Sequence, residues 1–148
     1  MADKQVFSNI INGEERPAAS GDTLDIINPS TGEVYATSPN SGPEDVDAAF
    51  QAAAAAFETY RWTTPSERQR FLLRLADLIE ANAEELVALE SENTGKPYSL
   101  TLSDEIVPML DQIRFFAGAA RVLEGRATAE YMRGFTSSVR REPRGLRM

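Results

Sequence analysis

Cysteine and histidine are both missing from these 148 residues. Without them the chain has no thiolate nucleophile, no imidazole base and none of the usual zinc or copper ligands. There is no disulfide framework either, so the cytoplasm is the expected compartment. Its nine glycines are scattered and form neither a G-x-G-x-x-G fingerprint nor a phosphate-cradling loop. No apolar run approaches the ~18 residues of a membrane-spanning helix. The N-terminal MADKQVFSN lacks the basic start and apolar middle of a secretory signal. A catalytic site here would have to rest on carboxylates, Lys, Ser, Thr or Tyr.

What is present is the composition of an ordinary globular domain, 42% hydrophobic with a net charge of −8. A chain of this length that folds alone buries roughly 70% of its unfolded surface. The charge is uneven. Residues 131–148 hold five arginines against Glu142 alone, a net of +4, so the rest of the chain carries −12 of the total −8. An acidic body argues against nucleic-acid binding, and the basic tail reads as a strand guarded by charge rather than a DNA arm.

The chain is organised around residues 64–97. Thr64 caps a helix, Pro65 suits its first position and Glu67 completes a T-x-x-E capping box. Phe71, Leu72, Leu75, Ala76 and Ile79 then recur at helical spacing. Asn82 and Glu85 offer a second N-x-x-E start, at which the helix either continues or restarts, and Gly95 and Pro97 end it.

Before this arm, residues 6–11 and 14–17 read as strands about the hairpin dipeptide Asn12-Gly13. Residues 24–28 and 33–37 form a second pair about the Asn28–Gly32 turn cluster, giving a small antiparallel meander. Ser41 and Glu44 bracket a capping-box start for a helix striped by Val46, Ala49, Phe50, Ala53 and Phe57. Tyr60 and Trp62, which follow it, are expected in the core. Beyond Pro97 a third helix runs from about Thr101 or Ser103 to Leu123, with Pro108 in its first turns or at a kink. Its expected buried stripe is Ile106, Leu110, Ile113, Phe116, Ala117 and Ala120, and Gly125 ends it. Phe135–Arg141 alternates as a strand. The Val/Ile-rich strands of a buried parallel sheet are absent. The helices therefore read as one outer layer of an α/β structure whose sheet is not encoded here.

Several stretches resemble the N-terminal part of aldehyde dehydrogenases. They are INPSTGEVYA from Ile27, the series Trp62, Pro65, Glu67, Arg68, Leu72, Leu75, Ala76, Ile79 and Glu80, then Glu90 and Gly95-Lys96-Pro97. RFFAGAAR from Arg114 and TSSVRREPRG from Thr136 continue in the same order. The run ENTGKPYSLTLSDEI, with RFFAGAAR and EYMRGFTSSVRREP, is similar to the bacterial aminobutyraldehyde and betaine-aldehyde branch.

The resemblance implies an α/β fold, with residues 1–130 the N-terminal part of a Rossmann-like NAD-binding domain. Residues 131–148 would begin the oligomerisation strand region, cut short, and the chain would be roughly the first third of such an enzyme. It implies NAD- or NADP-dependent oxidation of an aldehyde to its acid, in which a cysteine thiolate attacks the carbonyl and a glutamate-activated water releases the product. This chain has no cysteine, so no catalytic or cofactor-binding residue is assigned and the isolated chain is expected to be inactive and not to bind the dinucleotide.

Two minor sites carry over from the resemblance. Ile27 and Asn93 correspond to positions that hold a monovalent cation, with Asn93 in place of the usual acid; Asn93 also reads as a plain helix-end residue. Asp104 and Glu105 correspond to acidic positions at the substrate channel of aminoaldehyde-oxidising relatives, and read equally as acids favourable at a helix N-terminus. Phe135–Arg141 corresponds to a strand used in homo-oligomer assembly. The competing reading is a non-catalytic module that binds a dehydrogenase subunit or another partner through uncovered helix faces.

Overall fold

A computed structural model of the chain describes residues 5–145. The N-terminal strands form two small sheets rather than the single expected meander. β2 (Asn9–Ile11) and β3 (Glu14–Arg16) make one hairpin, with Ile11 opposite Glu14. Asn12 and Gly13 both take positive φ, 56° and 78°, as a two-residue hairpin turn of matching twist requires. β4 (Thr23–Ile27) and β5 (Val34–Pro39) pair antiparallel with a bulge at Ile26/Ile27. The third strand of that sheet is β1 (Gln5–Val6), parallel to β5, so residues 6–11 are not one strand. β5 had a free edge, and the Phe7 N–H donates to the Thr37 carbonyl there at 2.8 Å. Pro17, without an N–H, stops β3 before it can reach β4.

α1 (Pro43–Tyr60) starts one residue later than expected. Gly42 is the residue before the first turn, and Asp45 rather than Glu44 reaches back to it, accepting the Gly42 N–H at 2.9 Å. The other Asp45 oxygen accepts the Ala19 N–H at 2.9 Å, so one buried carboxylate ties the 17–22 loop to the helix start. Ser41 instead donates to Asn9 at 3.0 Å.

α2 (Pro65–Ala81) opens on the expected box. The Glu67 N–H donates to Thr64 Oγ1 at 3.3 Å, and the Glu67 carboxylate accepts the Thr64 N–H at 2.7 Å. The arm does break at Asn82, and α3 (Ala83–Thr94) follows. Asn82 does not cap α3; its side-chain amide donates back to the Leu78 carbonyl at 2.7 Å. Gly95, at φ 75°, ends α3 in the left-handed conformation.

The last helical rod begins three residues before Thr101. α4 (Tyr98–Leu100) runs into a π-helical stretch, Thr101–Ile106, and then α5 (Val107–Ala119). Pro108 can donate no N–H and its ring crowds the preceding turn. Widening to π geometry just before it accommodates both defects without a break. The rod stops at Ala119 rather than Leu123, as 3₁₀-type bonds from Arg121 to Gly118 and from Val122 to Ala119 turn the chain away. β6 (Ala129–Met132) and β7 (Phe135–Ser137) then form an antiparallel hairpin about Gly134. The expected strand to Arg141 is shorter, and it has a partner that its sequence did not announce.

The core is thin. Ala76, Val87, Ile106 and Leu110 are buried together where α2, α3 and the last rod meet, flanked by Ile79, Ala83, Leu102 and Ile113. Three core expectations fail. Phe116 is 60% exposed and Trp62 72%, and Tyr60 is also exposed. Among the described residues no second layer reaches them. The molecule exposes 11681 Å², against about 7,500 Å² for a compact monomer of its mass. It buries about half of its unfolded surface rather than the roughly 70% of a self-sufficient domain. The helices lie as a layer with one face open.

Candidate functional site

Two turns from distant parts of the chain meet, one at Asn28–Gly32 and one at the end of α3. Asn28 holds the first through its side chain, which accepts the Ser30 N–H at 2.9 Å, while its carbonyl accepts the Gly32 N–H at 2.8 Å. The second is the Gly95 end of α3. A Cβ placed on Gly95 would sit 3.1 Å from Pro29 Cγ and 3.5 Å from Ser30 Oγ, so the absence of a side chain lets the turns nest. Across the same seam the Tyr35 hydroxyl donates to Asn93 Oδ1 at 3.2 Å. Ile27, at the β4 bulge, and Asn93 thus belong to adjoining turns. Tyr35 is a partner that sequence reasoning did not single out.

Beside this seam, Lys96 is held between two helices. Its ammonium lies 3.0 Å from Glu105 on the π-helical stretch and 3.2 Å from Glu90 on α3. The Glu105 hydrogen bond, followed by that of Glu90, keeps Lys96 above the ordinary lysine range. Both carboxylates also line an apolar groove of about 380 Å³ with Leu86, Val87, Ile106 and Met109. Asp104, by contrast, accepts the Ser103 hydroxyl at 2.6 Å on the exposed side of the same stretch. The two expected channel acids therefore play different local parts: Glu105 meets a cation at a groove, and Asp104 meets its own neighbour. Glu90 and Lys96 carried no assigned role in the sequence. Their i, i+6 spacing across a helix end is not a helical contact spacing, and only the Gly95 turn brings them together.

Chemically, the groove can seat an apolar chain and present carboxylates to an ammonium at its edge. Among the described residues no group of three or more His, Cys, Asp or Glu is placed to hold a metal ion. The one parallel strand pair among the described residues is β1 with β5. Among the described residues no helix is long and apolar enough to cross a membrane.

A thin, helix-dominated layer with small hairpins at its edges is the shape of a part of an α/β fold. Comparison with known proteins says which one. The profile of the aldehyde dehydrogenase family matches residues 16–148. Over 137 residues the chain is 37% identical to a mitochondrial aldehyde dehydrogenase of Leishmania tarentolae, covering 93% of this chain and 27% of that protein. A 2-aminomuconic semialdehyde dehydrogenase of Bos taurus is 43% identical over 114 residues, which cover 77% of this chain and 23% of that protein. An NAD+ complex of a Bacillus cereus aldehyde dehydrogenase superposes with a TM-score of 0.83 at 35% identity, over 90% of this chain and 28% of that one. The chain belongs to the aldehyde dehydrogenase family, to its N-terminal region. It spans about a quarter of the length of the curated relatives it matches.

Proposed function

We propose that this chain is the N-terminal part of an NAD- or NADP-dependent aldehyde dehydrogenase. Its reaction oxidises an aldehyde, in this reading an aminoaldehyde such as 4-aminobutyraldehyde, to the carboxylic acid. The chain on its own is inactive, because the nucleophile the chemistry requires has no counterpart among its residues. Within the larger enzyme it forms a covering layer. Its hairpin strand in 135–141 takes part in homo-oligomer assembly, Ile27 and Asn93 contribute oxygens to a monovalent cation, and the protein works in the cytoplasm.

One observation supports the aminoaldehyde above an uncharged substrate. Glu105 and Glu90, at the mouth of an apolar groove, already hold a primary ammonium, that of Lys96. A substrate ammonium on a short apolar chain presents the same chemistry to the same pair. The test measures NADH formation by the longer enzyme with 4-aminobutyraldehyde and with butyraldehyde. Glu105→Gln should raise KM for the first and leave the second near its original value. Equal losses for both would remove the channel role, and NADH production by the 148-residue chain itself would remove the inactivity.

The exposed helix faces favour a second reading, a non-catalytic module that docks on a partner such as a dehydrogenase subunit. A longer reading frame continuing through residue 148 supports the first reading. A folded, monodisperse chain that co-purifies with one specific subunit supports the second.

A further inference from the structure

The 141–145 segment lies against the end of α1 and lines a second, open cavity of about 380 Å³ that shares no residue with the groove described above. Phe57 and Tyr60 form an apolar wall, and Arg61, Arg68, Arg141 and Arg144 surround it. Glu142 is the lone carboxylate on its lining, so the cavity carries +3 in a chain whose total is −8. Among the described residues no carboxylate pairs with any of these four guanidiniums. Glu142 itself reaches only Arg140, at 3.6 Å.

The arginines are held by groups that leave their charge in place. Arg68 donates to the Thr63 carbonyl. Arg141 Nε–H donates to the Glu124 carbonyl at 3.0 Å. Arg61 lies 5.2 Å from the ring centres of both Phe57 and Trp62. The tail that brings Arg141 and Arg144 is seated by two further contacts. The Val139 N–H donates to the Arg126 carbonyl at 3.2 Å, and a Cβ on Gly125 would lie 2.0 Å from the Val139 carbonyl oxygen. Only glycine permits that crossing.

Guanidinium forks match phosphate and carboxylate oxygens, and several uncancelled ones around a concave site concentrate anions there. The aromatic wall suits a flat apolar body. The geometry points to a binding site for a small organic anion that joins a flat apolar body to a phosphate or carboxylate head.

Trp62, the only tryptophan, is the natural reporter, because Arg61 lies against its ring. The 148-residue chain is titrated with phenyl phosphate, benzoate, inorganic phosphate and benzyl alcohol while its fluorescence is followed. A saturable change is expected with phenyl phosphate or benzoate, the tighter of them naming the head group. Inorganic phosphate should bind more weakly and benzyl alcohol not at all. Arg144→Gln, which makes no internal hydrogen bond among the described residues, should weaken binding about tenfold, and Gly125→Ala, which displaces the tail, should abolish it. Arg133→Gln, at the hairpin turn outside the cavity, should leave binding unchanged. The absence of saturable binding by either aryl anion overturns the proposal. So do equal losses in the Arg133 and Arg144 variants, or inorganic phosphate binding as tightly as phenyl phosphate.

Discussion

Arg114 of α5 donates to Glu80 of α2 at 2.5 Å and to Asp77, one turn back, at 3.2 Å. The two carboxylates, Glu80 first, raise Arg114 above its ordinary range. This fork joins two of the helices that share the buried cluster of Ala76, Val87, Ile106 and Leu110. All three side chains are more than a third exposed, so salt screens the attraction. Arg114→Gln should therefore lower the urea midpoint slightly at low salt and hardly at all at high salt. A midpoint difference that grows with added NaCl would contradict this account of the fork.

The apolar side of the same helix pair carries the larger effect. Leu110 is 5% exposed and packs with Ala76, Val87 and Ile106. Leu110→Ala should cost about 2–5 kcal/mol, a large part of any small domain's stability. Phe116, six residues on, is exposed, and Phe116→Ala should change stability by less than about 0.5 kcal/mol in this chain. Thermal melts of the two variants check the contrast. If the chain is the outer layer of a larger enzyme, Phe116→Ala becomes costly there, and comparing the two contexts measures what covers that face.

The start of α2 is sensitive to acid in a defined direction. Backbone and side-chain hydrogen bonds from Thr64 hold the Glu67 carboxyl below its ordinary value. A depressed pKa in the folded state means that the contribution is complete above the unfolded value and is lost as pH falls through the folded one. Helical circular dichroism should decline in that acidic window, and Glu67→Ala should flatten the decline. Thr64→Ala should cost about 1 kcal/mol at neutral pH. An unchanged acid profile in the Glu67 variant would show that other carboxylates govern the loss.

Gly95 carries two constraints together, a φ of 75° and a neighbour, Pro29, 3.1 Å from where a Cβ would go. Gly95→Ala should cost about 1 kcal/mol for the backbone alone, and should also separate the turn holding Ile27 from the helix end holding Asn93. The Tyr35–Asn93 hydrogen bond then lengthens, which the Tyr35 ring shifts in an NMR spectrum would report. Loss of stability without any change at Tyr35 would mean that the two turns are not mechanically joined.

The features legible in the sequence are those fixed by neighbouring residues. The Thr64–Glu67 box, the Asn12-Gly13 turn and the αL end at Gly95 each follow from local geometry, and each is found. Contacts between distant segments were not legible. The parallel pairing of β1 with β5 depends on which sheet edge is vacant, and Asp45 replaces Glu44 because it can also reach Ala19, 26 residues away. The exposure of Tyr60, Trp62 and Phe116 has another origin. Their apolar character follows from burial, but the covering surface is not among these residues. At the candidate site, Asp104 and Glu105 were indistinguishable as adjacent acids until Lys96 was seen to meet only Glu105.

That open face leads to the widest prediction. An exposed area of 11681 Å², about 4,000 Å² beyond a compact monomer of this mass, includes Phe71, Phe115, Phe116 and Val122 on or beside the helical layer. Exposed apolar side chains grouped on one face bind fluorescent hydrophobic dyes and drive self-association. The isolated chain should brighten such a dye, sediment as a concentration-dependent mixture and melt over a broad range. Co-expression with the remaining part of an aldehyde dehydrogenase should quench the dye signal and sharpen the melt, since the covering surface then arrives in trans. A dye-silent monomer with a sharp transition would mean that the helices close on one another in solution and that the open layer is not their resting arrangement.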